Sequence, residues 1–158
     1  MGVQCGCHKV KAADWHNKVI SFENRSFYTE KIPLIFHIPI GLGKRIEALQ
    51  EEIRLKEYKI IEPVTTLMKD GTFSGLIMTE IEKPRFFDPQ IYTFGPSLMY
   101  CYVSTEPWNN LRADFLLAKK NFDSQGKKVK SLYFRYTTCP RCSGVQGYQT
   151  LLFLEPET

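Results

Sequence analysis

The sequence predicts an α+β domain made of two β-α-β-β units, arranged as an antiparallel sheet with both helices on one face. Three observations lead there. The stretch Ser97-Leu-Met-Tyr-Cys-Tyr-Val-Ser104 has strand composition, and a helix start at Thr105-Glu-Pro-Trp108 follows it before two more strands close the chain. The same order of events occurs once before, from Pro33 to Glu82. The two stretches can also be overlaid, Leu34-Ile-Phe-His-Ile-Pro39 on Leu98-Met-Tyr-Cys-Tyr-Val103 and Met78-Thr-Glu-Ile-Glu82 on Leu151-Leu-Phe-Leu-Glu155.

The totals set bounds. A chain of 158 residues is one domain that buries roughly two-thirds of its unfolded surface. Aromatic content of 13% exceeds what a core of this size needs and hints at a lined pocket. The net charge of +4 is slight, and nucleic-acid binding normally rides on a concentrated basic face. The one dense basic run, Lys119-Lys120 with Lys127, Lys128 and Lys130, reads as a solvated helix end and loop, so no nucleic-acid partner is expected. The apolar runs are strand-sized and no signal peptide opens the chain, which implies a cytoplasmic protein without a membrane partner. Its five cysteines are then thiols or metal ligands rather than disulfides.

In order along the chain, residues 1–16 form an N-terminal arm without clear periodicity, and residues 17–158 form the domain, with repeats at about 17–84 and 90–156. Lys18–Glu23 is a short strand ended by Glu23-Asn-Arg-Ser26. Pro33–Ile40 is β-branched and aromatic and begins the first unit. From Lys44 to Lys56, Ile46, Leu49 and Ile53 recur at helical spacing with Glu47, Glu51 and Glu52 outward. Val64–Lys69 and Thr72–Ile81 are strands joined by Asp70-Gly71, whose residues suit the two positive-φ positions of a tight hairpin. A linker, Lys83–Pro89, and a short strand, Ile91–Phe94, lead to the second unit. There the strand 97–104 precedes a helix over about 107–122, with Thr105 as N-cap and a buried stripe of Trp108, Leu111, Phe115, Ala118 and Phe122. Strands over about 128–137 and 147–154 finish it.

A sheet covered by helices on one face and by water on the other should alternate apolar with polar. These strands do not. On 97–104, Met99, Cys101 and Val103 are small enough to lie under a helix, which leaves Leu98, Tyr100 and Tyr102 opposite, matched by Leu34, Phe36 and Ile38. An apolar face without helices is a cleft, an interface, or is covered by the chain's ends. Tyrosines favour the cleft, since a ring stacks on a ligand while its hydroxyl stays satisfied; packing at a rim is the equal alternative.

Cys139-Pro-Arg-Cys142 has zinc-knuckle spacing, which Cys5-Gly-Cys7-His8 can complete, but Cys-x-Cys with a distant Cys-x-x-Cys is a weak pattern. A plain hairpin turn with free thiols accounts for it as well. No cofactor is otherwise implied. His37 lies among apolar neighbours as a core histidine, and no catalytic Ser/His/Asp or Cys/His set can be picked out.

The leading strand Lys18–Glu23, Lys31-Ile-Pro33 before the first repeat, Phe94-Gly-Pro-Ser-Leu-Met-Tyr100 before the second, and the doubled unit together resemble the GyrI-like family over about residues 17–156. These are small-molecule-binding domains of gyrase-inhibitor-like proteins and multidrug-responsive regulators. The resemblance implies one curved sheet with a groove between the repeats, lined by aromatic rings. It also implies a glutamate on the strand after the second helix, for cationic ligands or hydrolysis. This chain departs there: Lys130–Thr137 holds no acid, and Arg135 falls near the glutamate's place. An inward Arg135 favours an anionic or carbonyl-bearing ligand. Glu80 is the other groove-side acid to propose.

Phe36, Glu80, Tyr100, Tyr102, Tyr133 and Arg135 are thus the candidate ligand-binding residues, with Cys139 and Cys142 as candidate metal ligands. The expected function is binding of a small aromatic or amphipathic molecule, without an attached DNA-binding domain. The alternatives are hydrolysis of an electrophilic molecule, with Tyr100, Tyr102 or Tyr133 as polarising acid, and a zinc-stabilised interaction domain.

Overall fold

The two helical stripes and the strand runs between them fold as an α+β protein. The computed structural model describes residues 9–35, 38–71, 73–137, 144 and 147–157. The chain runs through α1 (Ala12–Trp15), β1 (Lys18–Ser21), β2 (Ser26–Ile35), β3 (Ile38–Pro39), α2 (Leu42–Leu55), β4 (Thr66–Lys69), β5 (Ser74–Ile81), β6 (Ile91–Thr93) and β7 (Leu98–Ser104). A 3₁₀ turn (Trp108–Asn110), α3 (Leu111–Ser124), β8 (Val129–Tyr136) and β9 (Thr150–Pro156) complete it. Two compact units result, Ser21–Ser97 and Met1–Ile20 with Leu98–Thr158. Each holds a strand–helix–strand–strand run. Among the described residues no helix is long and apolar enough to cross a membrane.

In the unit Ser21–Ser97 the strand order is β4-β5-β2, all antiparallel, with β3 and β6 also paired to β2. The first strand begins earlier than the sequence suggested. Its ladder with β5 runs from Ser26 opposite Ile81 to Pro33 opposite Ser74. Phe27 and Tyr28 are both fully buried, one on each face, which is why the strand extends back to Ser26. The register also corrects the overlay of the repeats. Met78 faces Thr29 whereas Leu151 faces Val103, so the counterpart of β7 lies around Phe27–Thr29 and not at 34–39.

α2 starts after Gly41, which adopts a left-handed φ of 63° that favours glycine. It lays Leu49 and Ile53 on the sheet, both completely buried. The hairpin between β4 and β5 forms as expected, but not with a two-residue turn, since the last pair is Lys69 with Leu76. Gly71 is needed there for a different reason: a Cβ on it would lie 1.9 Å from the Ser74 carbonyl oxygen.

A polar latch ties the end of α2 to β2 and to the turn before β6. The Tyr28 hydroxyl shares its one proton between Gln90 Oε1 at 2.9 Å and Glu52 Oε1 at 3.1 Å. Lys56 Nζ donates to the same Gln90 oxygen at 2.9 Å and lies 3.7 Å from the Asp88 carboxylate. Asp88 accepts from the Tyr58 hydroxyl at 2.6 Å and from the Gln90 amide at 2.9 Å. Those two bonds, the Tyr58 one foremost, hold the Asp88 carboxyl below its usual range, and the bond to Asp88 in turn raises the Tyr58 phenol.

In the other unit the order is β1-β7-β9-β8, antiparallel. α3 buries Leu111, Ala118 and Phe122 as its stripe predicts, while Phe115 is only half-buried. Its start differs: a 3₁₀ turn covers Trp108–Asn110, Thr105 does not cap it, and the Glu106 amide just before it donates to Ser104 Oγ. Ser104 in turn donates to Asp114 of α3.

That contact settles which face the helix covers, and it is the face opposite to the one expected. Tyr100 lies 6.1 Å from the Phe122 ring, and the Asp114 charge is felt by Tyr102, so both tyrosines are under α3. Met99, Cys101 and Val103 are on the face away from α3, and all three are buried. Side-chain size was a poor guide because the Tyr100 hydroxyl finds partners within this unit, in the side-chain Oδ1 of Asn17 and in Asn121.

Two outcomes follow from this packing. Leu49→Ala, in the completely buried stripe of α2, should cost about 2–5 kcal/mol in urea unfolding, while the half-exposed Leu116→Ala should change stability by less than about 0.5 kcal/mol. Asp88 has a lower folded than unfolded pKa, so its stabilisation is full above the unfolded value and drains as pH falls through the folded one. Asp88→Asn should therefore lower stability at neutral pH and flatten the loss seen as the pH drops below 3.8, the ordinary carboxyl value, in acid titration of the unfolding midpoint.

Candidate functional site

Residues directly opposite in antiparallel strands share a face. In the unit Leu98–Thr158 the face away from α3 therefore carries the rows Cys101, Phe153, Tyr133 and Val103, Leu151, Arg135. Arg135, half-buried, is turned onto this face. Its guanidinium carbon lies 5.7 Å from the centre of the Trp15 ring, and Trp15 meets Phe153 edge-on at 6.2 Å. The result is an indole and a guanidinium laid against one apolar face whose rows, the Tyr133 phenol included, are buried.

Trp15 is held there by the residues after it. The Asn17 amide donates to the Cys101 carbonyl at 2.9 Å, and His16 Nδ1 accepts from the Val103 amide at 3.0 Å. The His16 ring also packs on Tyr102 at 4.7 Å. Further back, Val10 exchanges two hydrogen bonds with the Gln149 side chain, at 2.8 and 2.9 Å. The edge of β7 thus stitches the arm down and sets the indole over β9. Sequence reasoning placed the arm outside the repeat and missed Trp15. A tryptophan in a polar segment of this length was the available signal, because so large an apolar ring is seldom left in water.

Cys101 lies beneath. Burial pushes its thiol up to about 12, against a smaller opposite pull from the Arg135 charge, so it stays un-ionised and unreactive. Tyr133, the third expected tyrosine, is on this face and buried. Tyr100 and Tyr102 are not brought to it. Burial raises both of their phenols, which keeps them protonated beneath α3.

The unit Ser21–Ser97 carries Glu80 on its own helix-free face, opposite Phe27. Both carboxylate oxygens of the buried Glu80 accept from Arg25, at 2.7 and 2.8 Å. The guanidinium is stacked 4.5 Å from the Phe22 ring and 5.7 Å from Phe27, and Phe94 closes on both rings at 5.4 and 5.5 Å. The Arg25 carbonyl accepts from the Phe94 amide at 3.0 Å, which fixes the strand entry. The sequence pointed to Glu80 and not to its partner. This is an aromatic cage with a counter-carboxylate, already filled by a cation of the chain.

Phe36, His37, Cys139, Cys142 and the Cys5-Gly-Cys7-His8 cluster lie outside the described residues. Among the described residues, no three His, Cys, Asp or Glu side chains are grouped as metal ligands. Two surface hollows lie elsewhere. One of about 530 Å³ is at the end of α3, bordered by Lys119, Lys127 and Glu157, and one of about 250 Å³ runs along the loop before β6.

Comparison with known proteins gives a family and a fold. No curated protein matches the chain. Among solved structures, the crystal structure of the EcmrR C-terminal domain is similar at a TM-score of 0.71 and 10% identity, over 89% of this chain and 96% of that one. EcmrR in its DNA complex, solved by cryo-electron microscopy, matches with the same TM-score and identity, over 89% of this chain and 57% of that one. At such identity the likeness is one of fold. A family profile described as bacterial hydrolase matches residues 2–155. With nearly its whole length inside that match, the chain belongs to the bacterial hydrolase family.

Proposed function

We propose that the protein binds a small aromatic molecule bearing a carboxylate or carbonyl group, on the face of the unit Leu98–Thr158 away from α3. The observation that carries this is Arg135 turned onto that face beside Trp15. An indole offers a ring to stack on, and the planar guanidinium offers two parallel donors to a carboxylate. Tyr133 adds a phenol on the same face. The rival preference, for a cation, is weakened because the acid suited to it, Glu80, already has both oxygens engaged by Arg25. The fold likeness to the EcmrR C-terminal domain supports a GyrI-like binding domain, and Phe36 remains a further contact to test.

Family membership favours a second reading, in which the bound molecule is hydrolysed. Water would add to the carbonyl carbon of an ester while Arg135 and Tyr133 donate to the oxygen that gains charge. The bond to the leaving oxygen then breaks, and the proton lost by water goes to that oxygen.

Thermal shift with naphthoate, its methyl ester and a naphthyl trimethylammonium salt tests the binding. Naphthoate should raise the unfolding free energy by about 2.7 kcal/mol at a hundredfold excess over Kd. Arg135→Gln should remove that shift, and Trp15→Ala should weaken affinity about tenfold or more with the fold intact by circular dichroism. A shift with the cation alone would refute the assignment. Release of naphthoate from the ester, lost in Tyr133→Phe, would establish turnover. Arg25→Ala should cost about 1–3 kcal/mol by leaving the Glu80 carboxylate buried and unpaired, and added methylguanidinium should restore part of that stability in the same unfolding measurement.

A further inference from the structure

Residues 83–87 form a loop whose ends are pinned and whose apolar side chains are left in water. At its start the Glu82 amide donates to the Lys59 carbonyl at 2.8 Å, and the two side chains pair at 3.4 Å. At its end Asp88 is fixed by Tyr58, Lys56 and the Gln90 amide, and Gln90 is fixed by Tyr28. Between these anchors Phe86 is 84% and Phe87 93% exposed, the two most exposed large apolar side chains among the described residues. Lys83 and Arg85 flank them, also exposed, and form no ion pair among the described residues. The 250 Å³ hollow runs along the loop from Lys83 to Asp88 and on to Ile91 and Thr93.

A loop held this firmly does not need two phenylalanines for its own folding, since they bury almost nothing. Their apolar area, roughly 150–250 Å² each, falls well short of the roughly 800 Å² per partner that a stable protein interface uses. An interfacial wedge needs far less. It requires a few large apolar groups at the headgroup boundary, with cations beside them to meet lipid phosphates. The overall charge of +4 adds long-range attraction to such a surface.

We propose that the Phe86–Phe87 loop docks on an anionic lipid surface, the two rings entering the headgroup layer and Lys83 and Arg85 meeting its phosphates. Attachment is peripheral and reversible, and it weakens with salt. It is independent of the ligand reading above, which concerns the other unit.

Cosedimentation of the full chain with vesicles tests this, using phosphatidylcholine with phosphatidylglycerol at roughly 3:1 against phosphatidylcholine alone. Partition should be about tenfold stronger on the anionic vesicles and should fall as salt is added. Phe86→Ser with Phe87→Ser should lower it about tenfold or more at an unchanged unfolding midpoint, and Lys83→Glu with Arg85→Glu should erase the preference for anionic lipid. Phe86→Trp should give an emission component that shifts to the blue when anionic vesicles are added. The proposal is overturned if the chain stays in the supernatant with anionic vesicles, or if the double serine variant sediments as the parent does. Phenylalanine-dependent dimerisation without vesicle binding would overturn it too, by assigning the loop to a second copy of the chain.

Discussion

A sheet that is apolar on both sides has to be covered twice, and the long helices α2 and α3 supply only one cover. Much of what is distinctive in this protein answers that demand. In the unit Leu98–Thr158, α3 takes the Tyr100 and Tyr102 face, and the other side receives Trp15 from the chain's own arm. In the unit Ser21–Ser97, α2 takes the Tyr28 face, and the other side is roofed by Phe22 and Phe94 with Arg25 laid between ring and carboxylate. In both cases the second cover comes from residues next to a strand end. Each has a guanidinium stacked on an aromatic ring. That pairing suits a half-wet boundary, because the flat cation sheds water more readily than an ammonium would.

The two guanidinium groups have different company. Arg25 has a buried carboxylate to bond, so charge is cancelled within the cage. Arg135 lies on a face that also carries Cys101, Phe153, Tyr133, Val103 and Leu151, and the buried Glu155 stands on the same face two residues beyond Phe153.

How much of this was legible in the residues depended on whether a signal was local. The helical stripes of Leu49 and Ile53 and of Leu111, Ala118 and Phe122 could be read from spacing, since that periodicity belongs to each helix alone. The Asp70-Gly71 hairpin was visible too, although Gly71 serves a close approach to Ser74 rather than a left-handed turn. Facing was not legible. When both parities of β7 are apolar, alternation carries no information about which side meets the helix, and ring size pointed the wrong way. The overlay of the repeats slipped for a related reason, because Ser26–Lys31 mixes polar and aromatic residues and so hid the start of β2. Glu80 and Arg135 could be singled out as charges in apolar strands. Arg25 could not, because its role depends on a contact across 55 residues of chain, and Trp15 stood out only as a large ring in a polar segment, its partners lying more than 100 residues away.

The placement of Trp15 has an optical consequence. The chain contains two tryptophans, and they stand in unlike surroundings. Trp108 is packed between Tyr136 and Tyr148 at the mouth of α3, with its indole nitrogen enclosed. Trp15 is only half-covered and lies against a guanidinium, a group that perturbs the excited state of an indole. Anything that settles on the face of that unit away from α3 must alter one chromophore while sparing the other, so the protein carries both its own gauge and its own internal standard.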